Sequence, residues 1–172
     1  MRRPHGGETP PTRTLSSKRI MCSKAVYGVP EDIDGWMRLV VEVSWNFPGL
    51  ETADSILEHR QTVLKFMEKR QAVCVRENSE IIGVLLFSRK RNMICCLAVS
   101  PAHRRKGIAA VLMTEALGQL DRSRDITVST FRADDPKGAA PKALYKKFGF
   151  VEGELIEEFG YPNQRFILHS EK

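Results

Sequence analysis

No stretch of this 172-residue chain approaches the roughly 20 consecutive apolar residues of a membrane-spanning helix, and its mean hydropathy is −0.29. The first residues carry arginines without the apolar core of a secretory signal, so export is not expected. Cysteine is scarce: Cys22, Cys74, Cys95 and Cys96 form no C-x-x-C pair. Adjacent Cys95 and Cys96 on a strand would point to opposite faces. We therefore expect reduced thiols of a cytoplasmic protein, with neither disulfides nor a metal site. There is no G-x-x-x-x-G-K-[ST] and no G-x-G-x-x-G, so nothing supports P-loop hydrolysis of nucleoside triphosphates or Rossmann-type dinucleotide binding. Internal repeats are also missing.

What is present is one domain's worth of ordinary globular sequence, 42% hydrophobic and 28% charged. The formal net charge of +6 invites a polyanion-binding reading until it is located. Arg2, Arg3, Arg13, Lys18 and Arg19 stand against Glu8 alone, so four of the six units lie in the first 20 residues. Residues 1–19, rich in Pro, Gly, Ser and Thr, are expected to form a disordered basic extension, with the folded domain over 20–172. A nucleic-acid binder using this tail and Arg89–Arg91 would lack interleaved aromatics. Neither nucleic acid nor membrane is an expected partner.

Apolar periodicity gives the order of elements. A first strand is expected from Arg19 to Tyr27, although Lys24 interrupts its alternation. Pro30, Glu31, Asp32 and Asp34 mark a helix start, and Ile33, Trp36, Met37, Val40 and Val41 recur at helical spacing. A second helix is predicted from about Ala53 to Arg70. The runs Ala72–Arg76, Ile81–Ser88 and Met93–Val99 alternate with short polar turns, as in an antiparallel meander. A helix over Ile108–Leu120, a strand over Ile126–Phe131, a short helix from Pro141 to Phe148 and strands over Phe150–Ile156 and Gln164–His169 complete the chain. The fold class is α/β, an α+β-like mixed sheet in the order β-α-α-β-β-β-α-β-α-β-β.

The most informative stretch runs from Leu97 to Ala109. An apolar strand ends, a Ser100-Pro101 turn follows, and the basic loop Arg104-Arg105-Lys106-Gly107 opens a helix at Ile108. A helix start has free amides and a dipole that favours anions. Gly107 lets a ligand approach, and Ala109 and Ala110 leave the first turn open. Taken alone, the stretch reads equally well as a solvated charged turn.

Arg104-x-x-Gly107-x-Ala109 after Leu97-Ala-Val99-Ser-Pro101 resembles the acetyl-CoA motif of the GNAT superfamily of N-acetyltransferases, R/Q-x-x-G-x-G/A. Some 40 residues on, Leu144-Tyr145-Lys-Lys-Phe148-Gly149-Phe150 is similar to the family's L-Y-x-x-x-G-F. The resemblance covers roughly Met21 to His169 and implies the GNAT fold. It further implies an acyltransferase that moves the acetyl group of acetyl-CoA to a primary amine, on a small molecule or a protein, by direct attack in a ternary complex. Such enzymes transfer groups other than aminoacyl groups.

Carried over, Arg104, Arg105, Lys106, Gly107, Ile108 and Ala109 would hold the pyrophosphate. Leu97 and Val99 would pair with the pantetheine arm through their backbone, and Val99 lies nearest the thioester carbonyl. Ile126–Phe131 would diverge to open a cleft. Tyr145 becomes the candidate catalytic acid, turned away from the Leu144–Phe148 face; without the motif it reads as a packing aromatic. The family's acceptor site would fall on Trp45, Asn46 and Phe47 together with Tyr161, in a loop from Phe159 to Pro162, although these aromatics could equally plug the sheet end. Where the family often has asparagine stands Gly138, and no general base is evident: Glu42 reads as a surface acid, Asp134 and Asp135 as turn formers, His59 and His103 as surface histidines. An acyl-CoA-binding regulatory module without turnover is the alternative. The protein is expected to be a monomer or homodimer, needing no metal.

Overall fold

Proline and acids do open the first helix. The computed structural model describes residues 23–132 and 134–171. Strand β1 (Ala25–Tyr27) is followed by a 3-10 turn over Pro30–Asp32 and by helix α1 (Ile33–Val43). The rest of the predicted first strand, the basic extension and Cys22 lie outside the described residues. Helix α2 (Ala53–Glu68) starts at Thr52, whose hydroxyl accepts from the Ser55 amide at 3.0 Å while Ser55 Oγ accepts from the Thr52 amide at 3.1 Å. Then come β2 (Ala72–Glu77), β3 (Glu80–Ser88), β4 (Met93–Val99), α3 (Ile108–Gln119), β5 (Ile126–Phe131), α4 (Ala139–Lys147), β6 (Val151–Glu158) and β7 (Tyr161–Leu168). This is the predicted order.

Among the described residues the strands form one mixed sheet in the order β1-β2-β3-β4-β5-β7-β6, in which only β4 and β5 run parallel. Helices cover both faces. Val73, Leu85, Phe87, Leu112, Met113, Tyr145 and Phe166 pack on one side; Trp36, Val40, Val63, Met67, Cys74, Val84 and Leu86 pack on the other. That is why β2 and β3 read as continuous apolar runs rather than alternating ones.

Asn92 ties the start of β4 to the start of β5. It sits at φ 51, a left-handed conformation that asparagine tolerates. Its buried side-chain amide donates to the carbonyls of Asp121 at 2.9 Å and Asp125 at 3.0 Å, and its Oδ1 accepts from the Asp121 amide at 2.9 Å.

Several boundaries differ from the sequence reading. Helix α4 begins at Ala139, after a 3-10 turn over Pro136–Gly138, so Pro141 falls in the first turn, where its missing N–H costs nothing. Tyr161 and Pro162 belong to β7 rather than to a preceding loop, because Phe159 and Gly160, at φ 52 and 72, make a two-residue hairpin turn.

Candidate active site

Between β4 and β5 a single pair, Met93 and Thr127, lies in register among the described residues. Two local features separate the strands beyond it. Strand β5 pairs with β7 along its whole length. Strand β4 carries a bulge: Phe87 pairs with Ile94 and Leu86 with Cys96, so Cys95 is the extra residue, and bulges bend the strand that holds them. The result is a cleft of about 170 Å³. Ile94, Cys95, Cys96 and Leu97 line it from one side, Val128 to Phe131 from the other, and Tyr145 is among the residues that close it. Leu97 thus faces the cleft, while Val99 ends the strand beside the loop and packs on the core. Burial pushes the Cys95 thiol up to about 11 and the Cys96 thiol up to about 12.

The loop after β4 is anchored before it becomes basic. Ser100 donates its amide to the Ile82 carbonyl at 2.8 Å, and His103 Nε2 lies 2.6 Å from Glu77 Oε2. His103 is therefore a half-buried strut rather than the free surface histidine expected. Arg105 at φ 63 and Gly107 at φ 77 turn the backbone left-handed, a geometry that directs successive amides into one concavity. Gly107 caps α3 without any side-chain hydrogen bond, and no acid lies in the first turn. Nothing among the described residues stands within 4 Å of where a Gly107 Cβ would be. Arg104, Arg105, Lys106 and Gly107 are exposed, Ala109 is half-buried, and the Ile108 side chain is buried in the core, so only its backbone faces the loop. Free amides, open space and three cations fit an anionic diphosphate.

Tyr145 is more deeply placed than the helical spacing suggests. It is 5% exposed, whereas Leu144 and Phe148 are only half-buried, because the ring tilts against Phe150 and Phe166 with both centroids 5.9 Å away. It borders the cleft. Burial raises its pKa strongly, so the phenol stays protonated.

At the far end Trp45, Phe47 and Tyr161 come together around a second cavity of about 320 Å³, with Ser44, Pro48, Leu50, Glu51 and Lys137. Phe47 and Pro48 line both cavities, while Asn46 lines only the cleft. Tyr161 stacks edge-on against Phe131 with centroids 5.4 Å apart and donates its hydroxyl to Asp135. That hydrogen bond holds the Asp135 carboxyl below its usual range and raises the tyrosine. The sequence reading missed Glu158 and Asn163, both on the cleft wall. The available signal was the Phe159-Gly160 turn, which puts Glu158 across from Tyr161.

The family model for the GNAT acetyltransferase domain matches residues 42–161. The chain belongs to the GNAT acetyltransferase family. Enzymes of the family use acetyl-CoA as donor. Solved GNAT structures superpose with like topology. A GNAT-family acetyltransferase from Bacillus cereus matches with TM-score 0.65 at 19% identity, over 87% of this chain and 99% of that one. Ard1 from Thermoplasma volcanium gives 0.67 at 15%, over 87% and 99%. The PaiA N-acetyltransferase from Thermoplasma acidophilum, solved in complex with coenzyme A, gives 0.62 at 15%, over 84% and 98%. At such identities the likeness shows the fold alone. No curated protein matches.

Gly138, where GNAT proteins often have asparagine, has a steric reason here: an added Cβ would stand 2.9 Å from the Phe131 carbonyl oxygen. Glu42 is exposed and borders neither cavity, and Asp135 is a capping residue that accepts from the Lys137 amide at 3.0 Å. No described helix is long and apolar enough to cross a membrane.

Proposed function

We propose that the protein is an N-acetyltransferase that moves the acetyl group of acetyl-CoA to a primary amine by direct attack in a ternary complex. One observation carries this reading: the strands part beyond Met93–Thr127 beside an uncapped, cationic helix start. In this reading the amides and cations from Arg104 to Ala109 hold the diphosphate. The free edge of β4 at Leu97 and Val99 pairs with the pantetheine arm, and the thioester enters the cleft. Backbone N–H near Val99 polarises its carbonyl. Trp45, Asn46, Phe47 and Tyr161 receive the acceptor. The free thiols Cys74, Cys95 and Cys96 support a reducing, cytoplasmic setting.

An alkylammonium with pKa about 10.4 is roughly 0.1% neutral or less at pH 7, so the acceptor must lose a proton before its lone pair attacks. The C–N bond forms as the C–S bond breaks. Tyr145 donates its hydroxyl to the departing sulfur, and its raised pKa keeps that donor available at neutral pH. A screen of primary amines that follows CoA release tests the proposal. Turnover with at least one amine is expected, with acetyl-CoA binding weakened in Arg104→Ala and Gly107→Glu. Binding without CoA release from any amine would indicate a regulatory module; unchanged affinity in both variants would refute the loop assignment.

A further inference from the structure

We infer that Glu158 binds the acceptor as a primary ammonium ion and takes its proton, which makes it the catalytic base of this acetyltransferase. The inference rests on the proposed reaction and adds the residue that reading leaves unassigned.

Glu158 ends β6 on the wall of the cleft that Tyr145 borders. The Phe159-Gly160 turn fixes its backbone, and buried Asn163 donates its side-chain amide to Glu158 Oε2 at 3.2 Å. The other cleft-lining titratable groups are Cys95 and Cys96 on β4 and Tyr145 on α4. Their raised pKa values keep all three protonated at neutral pH. Nearby cations are engaged elsewhere or lie in the turn before β4. Arg132 donates to the Asn163 and Ile156 carbonyls, and the charge of Arg91 is felt at Cys95. Glu152 pairs with Lys142 at 2.8 Å and Glu154 with Arg165, whereas Glu158 has no cationic partner among the described residues.

Other carboxylates near the two cavities are already committed. Glu51 accepts from the Gly49 amide at 2.9 Å, and Asp135 is held by Tyr161 and the Lys137 amide. A carboxylate facing a mostly apolar cleft attracts an ammonium group strongly, since few competing dipoles solvate it there. The Glu158 carboxylate takes one N–H proton and leaves a neutral amine. That amine forms the C–N bond as the thioester C–S bond breaks. The sulfur ends as a thiol, and a single proton leaves to solvent.

The test measures kcat/KM against pH, from 6 to 10, with the best amine of the panel, alongside acetyl-CoA affinity and melting temperature. Glu158→Gln should lower kcat/KM by about 10²–10⁴-fold at pH 7 with acetyl-CoA affinity unchanged. The loss should shrink as pH rises, because the variant depends on amine already neutral in solution. Glu158→Asp should keep the wild-type pH profile at roughly tenfold lower rate, and it decides the matter if Glu158→Gln does not fold. Wild-type kcat/KM in either folded variant, or a Glu158→Gln loss that is equal at every pH, overturns the assignment of Glu158 while leaving the acetyltransferase reading intact. Acetyl-CoA binding without CoA release in the wild type overturns that reading instead.

Discussion

Gly83 on β3 lies directly beneath Ile108, the first residue of α3: a Cβ at Gly83 would stand 2.6 Å from Ile108 Cγ2 and 3.0 Å from Leu112 Cδ1. The glycine sets how closely the start of α3 approaches the sheet, and hence where the amides of the Arg104–Gly107 loop sit. Gly83→Ala should cost about 1–3 kcal/mol by overpacking, read as a lower urea midpoint, and should weaken acetyl-CoA binding through displacement of the loop. Wild-type stability together with wild-type affinity would show that α3 accommodates the methyl group freely.

Tyr145→Phe keeps the ring that packs on Phe150 and Phe166 and removes only the hydroxyl. The melting temperature should stay near the wild-type value and acetyl-CoA affinity should be nearly intact. Turnover should fall by roughly tenfold or more. Steady-state rates with saturating donor provide the measurement, and an unchanged rate removes Tyr145 from the mechanism.

Asn92 offers a check on the closed end of the cleft. Its side chain joins the β3–β4 turn to the segment before β5, and its φ of 51 disfavours most other residues. Asn92→Ala should destabilise the fold by about 2–4 kcal/mol, because it strands buried carbonyls and an amide. Chemical denaturation measures this directly.

His59 on α2 turns Nε2 inward, where it is buried without a partner among the described residues, contrary to the surface position expected. Burial lowers its pKa below 6.5, so the folded state binds fewer protons than the unfolded state as pH falls through that value. Its neutral form is compatible with full stability above about pH 6.5, and stability declines as pH drops below it. His59→Leu should flatten that decline in melting scans between pH 7.5 and 5.5. A variant with the same slope as wild type would assign the acid sensitivity to other groups.

Much of the fold was legible because periodicity is local. The helical spacing of Ile33 to Val40, the apolar runs of β2 to β4 and the Arg104-x-x-Gly107-x-Ala109 loop lie on contiguous sequence, where backbone geometry imposes its own repeat. The depth of Tyr145 was not legible, since the rings that bury it come from residues 150 and 166. Glu158 carries no local signature either: its neighbours in the cleft, Cys95 and Tyr145, are 63 and 13 positions away.

The sequence by itself determined the order of the elements, the basic, glycine-bearing loop at the α3 start and the family resemblance, all of them properties of short contiguous segments. Tertiary structure alone decided where β4 leaves β5, which carboxylate faces the cleft, and how the loop after α1 meets the β6–β7 hairpin. These depend on a bulge in one strand pair, on the sharing of β5 with β7, and on hydrogen bonds that join residues distant in the chain.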